Sequence, residues 1–357
     1  MSIKSIPLTS EDKILQLLQA RYIRRHLSVV KGIGDDAAVI DCRGAQEYWL
    51  ATSDMLLEGV DFRRGWTTPR QLGCKSLSAN LSDLAAMGAR PRFYMVCLGL
   101  PRSISESWIS DFYDGLTEVA DSHRALLIGG DLSHTTRDIL ISVTAVGESL
   151  NRKVLYRSGG RPGDSLYVTG VLGRSAAGLK LLQNGCTRPR AGPRREALQV
   201  QRTPEARCKV GLWLAQCGLV NCMMDLSDGL SIDLPRLCAA SGVGAEITAS
   251  CLPTFLKSAS WGCDPLALAL HGGEDYELLF SVPGSKIPLF SKTYPRNYPQ
   301  VTKIGRFTAD AGEICINDSA KGRRPLPQCG YDHFRSSLSR TSVAPRRIKK
   351  LQVNKLS

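Results

Sequence analysis

A chain of 357 residues is long for a single hydrophobic core and comfortable for two domains. Its 43% hydrophobic and 22% charged content is that of a soluble globular protein, no apolar run approaches the roughly 20 residues that span a bilayer, and the twelve cysteines are scattered without CxxC spacing or a secretory leader, which argues for reduced thiols in the cytosol. The net charge of +13 raises a nucleic-acid reading, but six of those charges (Arg340, Arg346, Arg347, Lys349, Lys350, Lys355) sit in the last 18 residues, leaving +7 on a body with no aromatic-interleaved basic signature.

From the N-terminus, Ser10-Glu11-Asp12 opens a predicted amphipathic helix with Ile14, Leu17, Leu18 and Tyr22 as its stripe, a packing element. Lys31 to Ile40, KGIGDDAAVI, reads as a glycine turn feeding a strand. Adjacent side chains alternate in an extended chain, so one of Asp35 and Asp36 faces inward; a hairpin with a polar tip fits the same residues. A second strand, Tyr48 to Thr52, ends at Ser53-Asp54, and loops at strand ends are where a rigid sheet aims metal and phosphate ligands.

The stretch KSLSANLSDLAAMGARP, Lys75 to Pro91, organises the first half. Thr68-Pro69 is a helix start and Gly88 with Pro91 a stop, which predicts a helix from Pro69 to Met87. Leu77, Leu81, Leu84 and Ala85 share one face, while Ala79, Ser82 and Ala86 stand where a surface helix would carry Lys and Glu, so both sides read as covered. Between Lys75 and Arg90 the only ionisable side chain is Asp83, and a lone carboxylate on a covered helix is costly unless a metal, a cation or several donors meet it.

Beyond it come a strand from Arg92 to Leu100, a helix from Ser103 to His123, and a buried strand from Ala125 to Ser133 that breaks at Gly129-Gly130 and presents Asp131. An alternating strand, Ile139 to Glu148, completes a first domain over 1–150. Asn151 to Gly163, rich in Arg, Gly and Pro, is the junction to a second domain over 151–334. There a strand (Asp164 to Gly170) and a helix (Ser175 to Leu182) precede Thr187 to Lys209, whose seven basic residues, two acids and three prolines read as a solvated loop. Asn221 to Leu230, NCMMDLSDGL, brings Asp225, Ser227 and Asp228 to a strand end before a helix near Asp233, which those acids could equally cap. His271 to Phe280 joins a glycine turn, with Glu274 and Asp275, to a strand; the basic tail, 335–357, reads as disordered.

Six carboxylates, Asp36, Asp54, Asp83, Asp131, Asp225 and Asp228, thus sit at turns or on a covered helix, and their convergence without cations would be opposed by like-charge repulsion. Oxygen-only ligands with no His or Cys cluster suit Mg²⁺ or Mn²⁺ rather than Zn²⁺, and several such ions in one site point to polyphosphate chemistry. There is no GxxxxGK[ST] loop and no protein-kinase HRD or DFG set, so an ATP site would be of another kind.

Over residues 10 to 334 the chain resembles the thiamine-monophosphate kinases, members of the superfamily of aminoimidazole ribonucleotide synthetase. The likeness rests on GIGDDAAV (Gly32 to Val39), TSDMLLEGVDF (Thr52 to Phe62), NLSDLAAMGA (Asn80 to Ala89), GGD (Gly129 to Asp131), YRSGGRPGD (Tyr156 to Asp164), DLSDGL (Asp225 to Leu230), GGEDYELLF (Gly272 to Phe280) and GYDHF (Gly330 to Phe334), eight strings in family order. The resemblance implies a two-domain α/β (α+β) fold of mixed sheets covered by helices, paired through the N-terminal domains as a homodimer. It implies Mg²⁺-dependent transfer of the ATP γ-phosphate to thiamine monophosphate, with no covalent intermediate and no general base. By the same likeness Asp36, Thr52, Ser53, Asp54, Asp83, Asp131, Asp225 and Asp228 are implied metal ligands. Gly130, Asp131, Arg157 and Ser227 are implied ATP contacts, and Glu274 an acceptor contact, with Asp61 and Gln328 at substrate-side positions.

The chain departs from the family where Asp61 replaces a common histidine, where Gln328 stands near a usual aromatic, and where a GGDTTRG-like string reads GGDLSHTTRD. The first two concern the acceptor side. Two rivals stand beside this reading: another ATP-using enzyme of the superfamily with a different acceptor, and a basic nucleic-acid-binding protein, whose affinity would fall steeply with salt.

Overall fold

The computed structural model describes residues 11–22, 26–189 and 191–334. Its strands sort into two sheets. In chain order the first half holds α1 (Glu11–Tyr22), β1 (Val29–Lys31), β2 (Ala38–Ile40), β3 (Trp49–Leu57), α2 (Pro69–Ala86), β4 (Arg90–Leu100), α3 (Glu106–His123), β5 (Leu126–His134) and β6 (Leu140–Glu148). These strands form one sheet in the order β1-β2-β3-β6-β4-β5, antiparallel except for the β4/β5 pair. The second half holds β7 (Ser165–Thr169), α4 (Arg174–Gln183), α5 (Pro193–Arg202), α6 (Cys208–Cys217), β8 (Cys222–Asp225), α7 (Leu230–Ser241), β9 (Gly244–Thr248), α8 (Pro265–His271), β10 (Leu278–Val282), α9 (Ile287–Thr293), β11 (Val301–Thr308), β12 (Ile314–Asp318) and β13 (Gly322–Pro325). Its sheet runs β13-β12-β9-β11-β7-β10-β8, with β9 and β12 the parallel pair.

α2 lies where the halves meet. Thr68 is the N-cap and Pro69 occupies the first turn, as the sequence predicts, and Gln71 completes a capping box with Thr68. One side of α2 packs on β3, β4 and β6, another on α3, and a third on α6 and β8 of the second half. A Cβ on Gly73 would stand 2.0 Å from the Phe112 carbonyl oxygen, so the close crossing of α2 over α3 requires glycine there. The resulting core is continuous across the two halves: Leu72, Leu77 and Leu84 share one cluster with Leu214, Met223 and Phe280. Leu230, Leu234 and Leu237 of α7 pack with Ile247 and Phe307 over the second sheet. Among the described residues no helix is long and apolar enough to cross a membrane.

Four expectations are corrected. β3 does not stop at Thr52 but continues to Leu57, because its pairing with β6 runs unbroken from Trp49↔Glu148 to Leu57↔Leu140. β5 runs through Gly129-Gly130 and is exposed along its whole length rather than buried. An apolar run reads as covered on both faces, but β5 is the sheet edge, and Leu126, Leu127, Ile128 and Leu132 remain 46–66% exposed. The 187–209 segment contains α5 and the start of α6, since Ala197, Leu198 and Gln201 give α5 a buried stripe against α4. α1 opens where predicted but has little burial, with Leu17 48% exposed. The basic tail expected to be disordered lies outside the described residues.

Candidate active site

Period-two alternation along β3 decides which of its polar residues reach α2. Thr52 and Asp54 pair with Ala145 and Val143 on the covered face of the sheet, and Ser53 points the other way, bonded to Thr144 Oγ1 at 3.0 Å and to the Val143 carbonyl. On α2, Asn80 and Asp83 meet this face. Asn80 Oδ1 accepts from the Asp54 backbone N–H at 3.0 Å, and Thr52 Oγ1 donates to Asp83 Oδ2 at 2.5 Å. The turn before β2 turns both acids of its pair inward, but in different directions. Asp35 meets Lys31 and the Arg157 backbone N–H, while Asp36 is 7% exposed and bonded to the Arg157 guanidinium.

The second half closes over them. β8 ends in Asp225, whose Oδ2 accepts from Ser82 Oγ of α2 at 2.6 Å, so one hydrogen bond ties the two halves at the site. Asp36, Asp83 and Asp225 each offer a carboxylate oxygen, all within 4.8 Å of one another. Asp36 Oδ2 is buried with no hydrogen-bond partner. Asp228 lies on the following loop, held by Arg236 Nη1 at 2.5 Å, and Arg236 also reaches the buried Asp233 at 3.2 Å. Gly273 passes so near that a Cβ would stand 2.6 Å from the Ser227 carbonyl.

Such crowding shows in the proton affinities. Burial pushes Asp36 up to about 7 despite the opposing Arg157 guanidinium. Burial, then Asp228, raises Asp54 to about 6; burial raises Asp225 to about 6 against the Ser82 hydrogen bond, and lifts Asp83 well above the ordinary carboxylate value with Asp54, Asp225 and Asp36 adding to it. Carboxyls that hold protons near neutrality in one place form a donor set whose mutual repulsion a bound cation would relieve. An oxygen-only donor set with an orphaned buried carboxylate oxygen fits a hard divalent ion such as Mg²⁺.

These acids open into a cleft of about 710 Å³. Asp54, Asp83, Asp225, Ser227 and Asp228 line one part, and Asp61, Glu274, Trp66 and Leu179 are among the residues lining the rest. Asp61 accepts from the Leu57 backbone N–H at 2.8 Å. Glu274 takes φ +64° and Tyr276 φ +49°, two left-handed non-glycine residues on the turn that presents the carboxylate. Gln328 is exposed beside Cys329 and Gly330, which do line the cleft.

Gly130 and Asp131 are placed elsewhere. The row Met55, Ser142, Cys97, Asp131 runs across β3, β6, β4 and β5, three strand spacings or about 14 Å from β3. This row lies on the open face of the sheet, opposite Asp54. Sequence reasoning missed Lys75, Ser82, Gln201, Asp233 and Arg236, which hold the acids in place; the polar residues of a covered helix were the available signal for Lys75 and Ser82.

Residues 34–149 match the family described as AIR synthase related protein, N-terminal domain, and residues 161–316 its C-terminal domain. The chain is 34% identical over 319 residues to the thiamine-monophosphate kinase of Bacillus subtilis, covering 87% of this chain and 95% of the relative. It is 38% identical over 326 residues to that of Escherichia coli, covering 89% and 97%. A solved structure described as AaThiL complexed with AMPPCP and TMP superposes with a TM-score of 0.79 at 31% identity, covering 93% of this chain and all of the other. With both halves matched in order and the carboxylates gathered between them, the chain belongs to the thiamine-monophosphate kinase family of AIR synthase related proteins.

Proposed function

We propose that this protein transfers the γ-phosphate of ATP to the phosphate of thiamine monophosphate, giving thiamine diphosphate and ADP. The observation that carries the reading is the convergence of Asp36, Asp83 and Asp225 from both halves of the chain at the edge of a cleft large enough for two substrates. The kinase names of relatives at 34% and 38% identity, and the AMPPCP and TMP with which AaThiL is complexed, support it.

Asp36, Thr52, Asp54, Asp83, Asp225 and Asp228 would hold Mg²⁺, and bound Mg²⁺ neutralises phosphate charge and aligns donor and acceptor. The remaining work belongs to the chain. Ser82 and Asn80 fix the orientation of the Asp225 carboxylate and the Asp54 backbone from a rigid helix. Arg157 and Arg236, now paired with Asp36 and Asp228, are the cations nearest the acids and can share the load of an entering polyphosphate. Ser227, on the loop between two of these acids, would meet the nucleotide, and Glu274, Asp61 and the segment at Gln328 would meet the acceptor. The acceptor phosphate is already an anionic nucleophile, so positioning and charge neutralisation suffice and no general base is needed.

We place a second copy of the chain against the β5 edge of the first sheet. Four large apolar side chains stay exposed on this edge strand, Leu126 and Ile128 together with Leu127 and Leu132, the last two in cross-strand rows with the buried Tyr94 and Leu98, so the edge is uncovered on both faces in a way that association would cover. In such a pair Asp131 and Gly130 lie at the subunit junction. Twelve free cysteines suit a reducing, cytosolic setting.

The test is ADP formation from ATP and Mg²⁺ across a panel of acceptors. Formation of thiamine diphosphate with thiamine monophosphate is expected. Turnover only with another phosphorylated acceptor would move the chain to a different activity of its superfamily, and salt-sensitive duplex binding without ATP turnover would favour the nucleic-acid reading.

A further inference from the structure

α2 bears a single cation and a single anion from its second turn onward, Lys75 and Asp83, eight residues or about 12 Å apart along the axis. Asp83 faces the acid cluster. Lys75 is 5% exposed, and its Nζ lies 2.5 Å from Glu274 Oε1. A lysine that deep in a helix interface is costly unless its charge is met, and Glu274 meets it.

Glu274 is held on every side. Its other oxygen accepts from Gln201 Nε2 of α5 at 2.7 Å, and Gln201 Oε1 accepts in turn from Ser175 Oγ of α4 at 2.8 Å. Its backbone N–H donates to the Ser227 carbonyl at 2.7 Å. The side chain nevertheless keeps 26% of its surface open and lines the cleft. A carboxylate fixed by a buried lysine and a buried amide, yet still facing a cleft, is built to receive something that is cationic or donates hydrogen bonds.

We propose that Lys75 is a positioning residue for the phosphate acceptor: it fixes the Glu274 carboxylate in the cleft, so that α2 sets the spacing between acceptor recognition at Lys75–Glu274 and metal binding at Asp83. The inference rests on the proposed kinase reading, because the acceptor of that reaction carries a cationic ring and an aminopyrimidine, both complementary to a carboxylate. Lys75 acts through Glu274 and touches neither the reacting phosphates nor the metal.

The experiment is steady-state kinetics on Lys75→Met, Lys75→Arg, Glu274→Gln and the Lys75→Met/Glu274→Gln double variant, with thiamine monophosphate and ATP varied in turn. Lys75→Met keeps length and apolar stem, so its expected effect is an acceptor KM raised about tenfold or more, as loss of a charge-assisted contact implies, with the ATP KM and the melting temperature little changed. Lys75→Arg restores most of the acceptor affinity. The double variant is expected to be no worse than Glu274→Gln alone, since a residue acting through another loses its effect when that other is gone. An unchanged acceptor KM in Lys75→Met, additive losses in the double variant, or a parallel collapse of ATP KM and melting temperature in both Lys75 variants would each overturn the proposal. Absence of thiamine monophosphate turnover in the unmodified protein would instead overturn the kinase reading, so the two failures are distinguishable.

Discussion

Replacing Asp83 with asparagine separates the cost of the acid cluster from its use. The asparagine side-chain oxygen can still accept from Thr52 Oγ1, so shape and hydrogen bond survive while the charge is lost. In the metal-free protein that charge stands within 4.8 Å of oxygens of Asp36 and Asp225. At an effective dielectric of about 20, two unit charges at that distance repel by about 3.5 kcal/mol. Asp36 is largely compensated by Arg157, so roughly one such interaction is relieved, and the metal-free variant should gain about 2–3 kcal/mol at pH 8. The sign follows from the proton affinity: the folded Asp83 carboxyl is raised well above its ordinary value of 3.8, so the stability its proton brings is present in acid and lost as pH rises. Asp36, raised to about 7, and Asp54 and Asp225, raised to about 6, act in the same direction. Urea unfolding with EDTA should therefore show the unmodified protein losing stability between pH 5 and pH 8, and Asp83→Asn losing less. With Mg²⁺ present the same substitution should lower turnover by about 100-fold or more, because the proposed metal ligand is gone. An Asp83→Asn protein less stable than the parent at pH 8 in EDTA, or as active as the parent at limiting Mg²⁺, would refute the reasoning.

Because the acids come from both halves, Mg²⁺ with a non-hydrolysable ATP analogue should raise the melting temperature beyond the sum of the separate shifts, and Asp225→Asn with Asp228→Asn should abolish the excess; strictly additive shifts in differential scanning fluorimetry would exclude a shared metal–phosphate site. Leu132→Glu, which puts a charge into the exposed patch of β5, should convert a dimer into a monomer by light scattering, whereas a parent protein that is already monomeric removes the proposed pairing. Gly73→Ala should cost several kcal/mol and melt early, since its Cβ would meet the Phe112 carbonyl oxygen at 2.0 Å; a melting temperature within about 2 °C of the parent would show that the α2–α3 crossing relaxes freely.

Much of the fold was legible because local signals and burial agreed. The capping residues of α2 fix its start to the residue, and the alternation of β6 gives its end, its start to within one residue, and its two faces. Legibility failed where a segment's surroundings, not its own pattern, decide the outcome. The apolar residues of β5 look the same to a sequence reader whether a helix covers them or nothing in the chain does. α5 hid in a basic, proline-rich run because only Ala197, Leu198 and Gln201 are buried and the rest of the helix is solvated.

The site was legible as a set of residue types but not as a geometry. Acids at turns signalled a metal centre, and Asp36, Asp83 and Asp225 do converge, yet nothing in the spacing of Thr52, Ser53 and Asp54 shows that β3 continues past them. That continuation is what sends Ser53 away from Thr52 and Asp54, since neighbours in an extended strand face opposite sides. The same rule governs Asp131. Its cross-strand row places it with Met55 and Ser142 on the open face, so it cannot join the acids of its own chain without leaving the sheet. Either Asp131 serves a site completed by a second copy on that face, or it is no ligand at all. Asp131→Asn decides between them: in the first case activity falls while metal-free stability and the proton uptake of Asp36 and Asp83 stay as they are, and in the second nothing changes.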